Sequence, residues 1–324
     1  WYHDDDHPLH SLFRRQSANT SVPSSFPTVG SPEWSVGFPA TADTTTMPKA
    51  WTDALNTAVQ TGRIPSIPVS TQASPDATPA YDGVADPSIP PVCSSYAQCR
   101  ITGQIWDAPA GTIGISFDDG PLPARRTPSD DLYAFLQQNN IPSTHFYIGT
   151  NILQHPNEFM SAFTGLKSDI SVHTWTHPYM TTLPNEGVVA ELGWTMQLIY
   201  NSTGGLIPRY WRPPYGDSDA RVVAIAQEVF GLTTVIWNHD TNDWTMDPTQ
   251  VTPNATTPDQ ISANFDTWLS GPKTPGLIIL EHELYNATVA AFKTNYPKFA
   301  QHNWTLASIA QLQGAAYQNA RTST

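Results

Sequence analysis

Five short segments carry side chains from which chemistry could be built: Asp118-Asp119-Gly120-Pro121, His173-Thr174-Trp175-Thr176-His177, Trp211-Arg212-Pro213-Pro214-Tyr215-Gly216, Asp240-Thr241-Asn242-Asp243-Trp244 and Glu281-His282. Two adjacent carboxylates at a sharp turn point apart, so one can hold a metal while the other takes a proton; the same tetrapeptide also serves as a plain Asp-Gly-Pro turn. Histidines at i and i+4 share one side of a helical turn, about 6 Å apart, near enough to bind one divalent cation. With Asp119 they make a His-His-Asp set, which leaves coordination positions open for water and substrate, as a hydrolytic metal requires. In the third segment two prolines stiffen the backbone around Arg212 and Tyr215, and Gly216 permits a turn; a structural proline turn with its arginine on a surface acid has the same composition. The fourth segment adds acids and an aromatic. The fifth adds His282, an imidazole of a kind that also occurs as a satisfied core or loop histidine.

Most of these segments follow a short apolar run. Thr112–Phe117 leads into the paired aspartates, Ile170–Val172 into His173, Thr233–Trp237 into Asn238-His239-Asp240, and Leu277–Leu280 into Glu281; Thr144–Ile148 is a further run. Runs of this length read as buried strands. Between them lie helical patterns at Ser129–Asn139, with Leu132, Phe135 and Leu136 on one face, at Asn185–Tyr200 and at Asp219–Phe230. Strand alternating with helix predicts an α/β fold on a parallel sheet. The carboxylates and histidines then gather at the C-terminal strand ends, where barrels and open sheets of this class carry their sites.

In chain order, Asp-Asp-Gly-Pro, His-x-x-x-His, Arg-Pro-Pro-Tyr, Asp-x-x-Asp-Trp and Leu-Glu-His resemble the five motifs of the polysaccharide deacetylases of carbohydrate esterase family four, most closely the fungal chitin deacetylases, over about Thr112 to Trp304. The resemblance implies a distorted (β/α) barrel with fewer than eight regular strands. It implies metal-dependent hydrolysis of the N-acetyl groups of chitin or chito-oligosaccharides, giving acetate and chitosan. Asp118 would be the base toward the attacking water, and Asp119, His173 and His177 the ligands of one divalent metal, zinc or alternatively cobalt. Arg212 would orient and tune Asp118, and the backbone N–H of Tyr215 would help stabilise the oxyanion. His282 would be the general acid, partnered by Asp243, with Asp240 the nearest competitor for that role. Trp244 and Leu280 would wall the pocket for the acetyl methyl group, with Tyr215 also touching substrate. Trp175, Tyr179 and Trp211 flank the motifs and could either stack on sugar rings or pack in the core. The rival readings are a deacetylase of peptidoglycan or acetylxylan and, from another class, a wall-binding protein without turnover.

That chemistry is coherent on its own terms. An amide is a poor electrophile with a poor leaving group, and it needs a generated nucleophile, a held oxyanion and an acid to expel the amine.

The chain has 324 residues, 39% of them hydrophobic and 11% aromatic, enough for a large core. Fifteen Lys plus Arg against 28 Asp plus Glu give a formal charge of -13, which repels a phosphate backbone and argues against nucleic acid as a partner. The apolar run Gly276–Leu280 is far shorter than the roughly 20 residues of a transmembrane segment. Five Asn-x-Ser/Thr sequons, at Asn19, Asn201, Asn254, Asn286 and Asn303, together with few lysines, fit an extracytoplasmic glycoprotein, secreted or in the cell wall. Cys93 and Cys99, six apart in a Pro- and Ser-rich stretch, suit a local disulfide, with a free thiol or metal pair as alternatives. Residues 1–104 read as a Pro-, Ser- and Thr-rich arm, largely irregular, with few apolar groups in its first 30 residues and one helix at Met47–Thr61; residues 105–324 read as the catalytic domain. A monomer is expected. The start at Trp1 suggests that any signal peptide has been removed, and the end at Thr324 without a hydrophobic tail suits either full secretion or loss of a glycolipid-anchor signal.

Overall fold

The computed structural model describes residues 1–13, 26–75, 77–84, 86–123, 129–249 and 255–314. Among these, eight strands form one sheet in which every pairing is parallel: β1 (Thr112–Asp118), β2 (Thr144–Tyr147), β3 (Asp169–Val172), β4 (Tyr210–Trp211), β5 (Thr233–Thr234), β6 (His239–Asp240), β7 (Leu277–Leu280) and β8 (Thr305–Ser308). The order is β5-β4-β3-β2-β1-β7-β6, with β8 paired beside β1. The sheet is a distorted barrel with five strands of four or more residues, the other three having two each. In β1 six of seven residues are buried, without alternation, because both faces are covered.

The periodic stretches form the helices expected of them: Lys49–Gln60, Ser129–Gln138, Asn185–Ser202 and Ala220–Phe230, the last capped by the Asp219 carboxylate on the Val222 N–H. The run Thr233–Trp237 yields only the two-residue β5. Val235 N–H still donates to the Trp211 carbonyl of β4, while on its other side Val235 bridges to Ile105, with Ile236 N–H donating to the Ile105 carbonyl.

The N-terminal segment differs from a sparse arm. It contains three helices among the described residues, His10–Phe13, Pro32–Ser35 and Lys49–Gln60, and it buries Trp1, Phe13, Trp34, Trp51 and Leu55 in the same core as Val188 and Phe230. Its apolar residues are few but large, so a small number of them covers much surface. Gly193 allows the close approach of Trp51, whose ring atoms would lie 2.6 Å from any Cβ there. Indole N–H groups tie the segment down: Trp34 donates to Ser202 Oγ, Trp175 to the Pro39 carbonyl and Trp194 to the Asp43 carbonyl.

Cys93 and Cys99 form a disulfide. Of the sequon asparagines, Asn286 and Asn303 are exposed and Asn201 is half-buried, whereas Asn19 and Asn254 lie outside the described residues. No described helix is long and apolar enough to cross a membrane.

Candidate active site

Strand register brings the five segments to one rim. Asp118 pairs with Phe146, Tyr147 with Val172, Val172 with Trp211, and Asp240 with Leu280, while Asp118 bridges to His282 across the gap beyond β7. The residues following these positions therefore leave the sheet together. They surround a cleft of about 660 Å³ lined by Asp118, Asp119, His173, His177, Tyr215 and His282, among others.

Asp119 Oδ1 lies 3.1 Å from Nε2 of both His173 and His177, and the three candidate ligand atoms fall within 4.8 Å of one another. His173 Nδ1 donates to the Arg212 carbonyl at 2.7 Å, which orients the ring and turns Nε2 toward Asp119. Asp119 Oδ1 is buried without a hydrogen-bond partner. Two imidazole nitrogens and an orphaned carboxylate oxygen, three electron-pair donors converging on one point, fit a divalent cation better than they fit one another. Burial alone would raise the Asp119 pKa, but His177 and His173 more than offset it and hold the carboxyl well below its usual range.

The i, i+4 histidines do not sit on a helical turn. Residues 173–177 form an irregular loop in which Thr174 (φ 68°) and His177 (φ 63°) are left-handed, and the ring centroids come within 5.0 Å by that route. Asp119, Tyr215 and Asn242 are left-handed too, so backbone cost concentrates at this rim. Glu191, on the helix Asn185–Ser202, clamps the loop by accepting from the N–H groups of Trp175 and Thr176 and from Thr176 Oγ1, at 2.6 to 2.8 Å. Sequence reading passed over Glu191; its signal is a carboxylate on a helix face otherwise made of Val188, Leu192 and Thr195.

Asp118 is buried and accepts from Arg212 Nη1 at 2.7 Å. The guanidinium is fully buried, with Phe146 and Trp237 rings 4.3 and 5.8 Å from its carbon. Burial pulls the Arg212 pKa down while Asp118 pulls it up. Phe146 was invisible in the sequence, one more apolar residue in a buried strand.

His282 Nδ1 lies 2.6 Å from Asp243 Oδ1, and its N–H donates to Asp243 Oδ2 at 2.9 Å. Burial opposes the imidazolium, but Asp243, with Asp119 and Asp118 farther off, overcomes that and raises its pKa to about 10. Asp240 accepts from the Asn242 N–H instead, so Asp243 is the carboxylate that holds His282. Burial raises the Asp240 pKa.

Tyr215, Trp244 and Leu280 line the cleft, the two aromatics about half exposed. Tyr215 sits in the turn Pro214–Gly216, its hydroxyl 3.2 Å from His177 Nδ1 and its ring stacked on Tyr179 at 4.0 Å. Trp211 and Trp175 are corrections to a sugar-stacking role. Both are fully buried, Trp211 donating to Thr234 Oγ1 and Trp175 packed against Phe38, because β4 and the clamped loop turn those rings into the core.

The polysaccharide deacetylase sequence model matches residues 107–235. Chitin deacetylase 3 of Cryptococcus neoformans is 41% identical over 96% of this chain and 72% of its own length. The chitin deacetylase of Amylomyces rouxii is 34% identical over 76% of this chain and 56% of its own. In fold, the solved chitin deacetylase of Colletotrichum lindemuthianum matches with a TM-score of 0.56 at 21% identity, covering 67% of this chain and 93% of that one. With the barrel, the rim and a relative matched along most of both chains, this chain belongs to the polysaccharide deacetylase family.

Proposed function

We propose that this protein removes N-acetyl groups from chitin or chito-oligosaccharides, releasing acetate and leaving free amines, as a secreted or wall-located monomer. One observation carries the reading: a site of three donors, two histidines and a carboxylate oxygen with no hydrogen-bond partner among the described residues, lies in the same cleft as a buried Asp118 and an Asp243-held His282. Fungal relatives named for this activity support the choice of chitin among acetylated glycans.

A divalent cation held by Asp119, His173 and His177, zinc being the first candidate, supplies Lewis acidity toward water and the acetyl carbonyl. Asp118, aimed by the Arg212 guanidinium that bonds it, takes the proton of the attacking water as its oxygen bonds to the carbonyl carbon. The Tyr215 N–H serves as donor to the oxyanion that develops there. As the carbon–nitrogen bond breaks, His282 gives its proton to the nitrogen, so the leaving group departs as an amine rather than an amide anion. Trp244 and Leu280 enclose the acetyl methyl group.

The test is acetate release from N-acetylglucosamine oligomers of increasing length, beside acetylated xylan and peptidoglycan, before and after chelation and zinc add-back. Chelator-sensitive release from the chitin series supports the proposal. Release from xylan or peptidoglycan alone moves the substrate, and release from none, with the fold intact, leaves a binding protein.

A further inference from the structure

The family match begins at residue 107, yet the cleft does not end there: Pro75, Thr78, Ser95, Tyr96 and Gln98 from the N-terminal segment line it together with the catalytic groups. Among the described residues four aromatic side chains are conspicuously exposed, Phe26, Tyr96, Tyr215 and Trp244, and three of the four line this cleft. An aromatic ring about half exposed on the wall of a cleft offers a flat face that suits the C–H face of a pyranose.

Tyr96 lies inside the ring closed by Cys93 and Cys99, where Cys93 (φ 46°) and Gln98 (φ 62°) are both left-handed. The disulfide holds a tight turn that the backbone would otherwise resist. The turn is also fastened to the wall that carries Tyr215. Ser95 N–H donates to the Ser218 carbonyl, the Ser95 and Ser218 hydroxyls meet at 2.9 Å, and Ala220 N–H donates to the Val92 carbonyl. Nearby, the Tyr81 hydroxyl donates to the buried Asp219 carboxylate. Thr78 Oγ1 lies 3.1 Å from the Tyr96 hydroxyl. The separation between the Tyr96 and Tyr215 walls is thus held by hydrogen bonds from the disulfide-bridged turn to Ser218 and Ala220, shortly after the turn Pro214–Gly216 that carries Tyr215.

We infer that the disulfide-bridged turn is a sugar subsite supplied from outside the catalytic domain, with Tyr96 as its stacking platform for an N-acetylglucosamine or glucosamine unit away from the scissile acetyl group. The inference rests on the proposed chitin activity. Tyr96 sets how many sugars the cleft grips, while bond breaking is left to the rim. The held turn makes the platform rigid, so little side-chain or loop entropy is lost when the sugar docks.

The test is calorimetric titration of the full-length, chelated protein with N-acetylglucosamine dimer and hexamer, paired with zinc-loaded kinetics on the same oligomers. Wild type should bind hexamer more tightly than dimer. Tyr96→Ala should weaken hexamer binding about five- to tenfold and raise KM by a similar factor, within the range for one aromatic platform. The hexamer-to-dimer ratio should collapse in step, with kcat on hexamer retained. Tyr96→Phe, which keeps the ring and loses the Thr78 contact, should stay near wild type, as should the thermal midpoint of both variants. A folded Tyr96→Ala with an unchanged hexamer-to-dimer ratio, or one that loses kcat instead of affinity, overturns the subsite. A wild type that neither binds nor hydrolyses any chitin oligomer overturns the functional reading first and the subsite with it.

Discussion

The guanidinium carbon of Arg212 lies 4.3 Å from the centroid of the Phe146 ring while Nη1 bonds Asp118 at 2.7 Å, so the cation beside the proposed base is held by an aromatic face and one carboxylate oxygen. Nε and Nη2 have no hydrogen-bond partner. A buried cation held this way depends on being flat and delocalised.

Arg212→Lys should therefore fail to replace it. An ammonium cannot stack in the Phe146 slot and reaches Asp118 as a point charge, and loss of an aligned base should lower kcat about 100-fold. Steady-state kinetics on a chitin oligomer should show KM little changed; a variant within about twofold of wild type in kcat would show that alignment by Arg212 is dispensable.

The His282–Asp243 pair makes a prediction about pH. The folded His282 value of about 10 exceeds the ordinary 6.5, so stabilisation from the pair is fully present below pH 6.5 and is lost as pH rises toward 10. In urea unfolding of the metal-free protein, the advantage of wild type over Asp243→Asn should shrink between about pH 6 and about pH 9.5. Activity should carry the same sign: the general acid stays protonated past neutrality, and Asp243→Asn should move the basic limb of the kcat profile to lower pH while reducing kcat by roughly 100-fold or more. A cation at Asp119 opposes the shift, so the limb should lie below 10 in the metal-loaded enzyme. Identical limbs in wild type and variant would remove His282 from the acid role.

Glu191 touches neither substrate nor metal ligand, yet it closes the loop that delivers His177. Glu191→Ala should weaken zinc affinity about 10- to 100-fold by competition with a chromophoric chelator, with Glu191→Gln recovering part of it, its amide oxygen accepting from the Trp175 and Thr176 N–H groups as the carboxylate oxygen does. Burial raises the Glu191 pKa, so the clamp should also loosen at mildly acidic pH. An Ala variant with wild-type affinity would mean the loop holds its shape unaided.

Chelation should abolish turnover and leave the fold. The three proposed ligands sit on two segments, Asp119 after β1 and both histidines on the loop 173–177, which the Glu191 clamp and the Arg212 carbonyl already fix, so circular dichroism should be unchanged and zinc alone should restore activity. Unfolding on chelation would make the site structural.

Much of this was legible in the sequence, and the reason is local. Asp118, Asp119, His173 and His282 follow apolar runs whose strand character is set by a few adjacent residues, and the order of motifs carries the roles. The resemblance put Asp243 ahead of Asp240 as the partner of His282, but local composition does not separate two acids three residues apart; that Asp240 accepts from the Asn242 N–H while Asp243 meets His282 is visible only in the structure. The helical geometry expected for His173 and His177 gave way to a loop because Glu191, 14 residues after His177, offers its N–H groups a carboxylate. Contacts between distant segments, such as Phe146 under Arg212 or Ser95 on Ser218, leave no periodic trace.

The tryptophan ties of the N-terminal segment bear on how the enzyme can be made. A recombinant chain starting near residue 107, where the family match begins, would strip Trp51 from Gly193 and Phe230 and leave the Trp194 and Trp175 indole N–H groups without the Asp43 and Pro39 carbonyls. The bared helices would present a sticky apolar face to their neighbours in solution, and such a product should collect in inclusion bodies even though every residue proposed for catalysis is encoded.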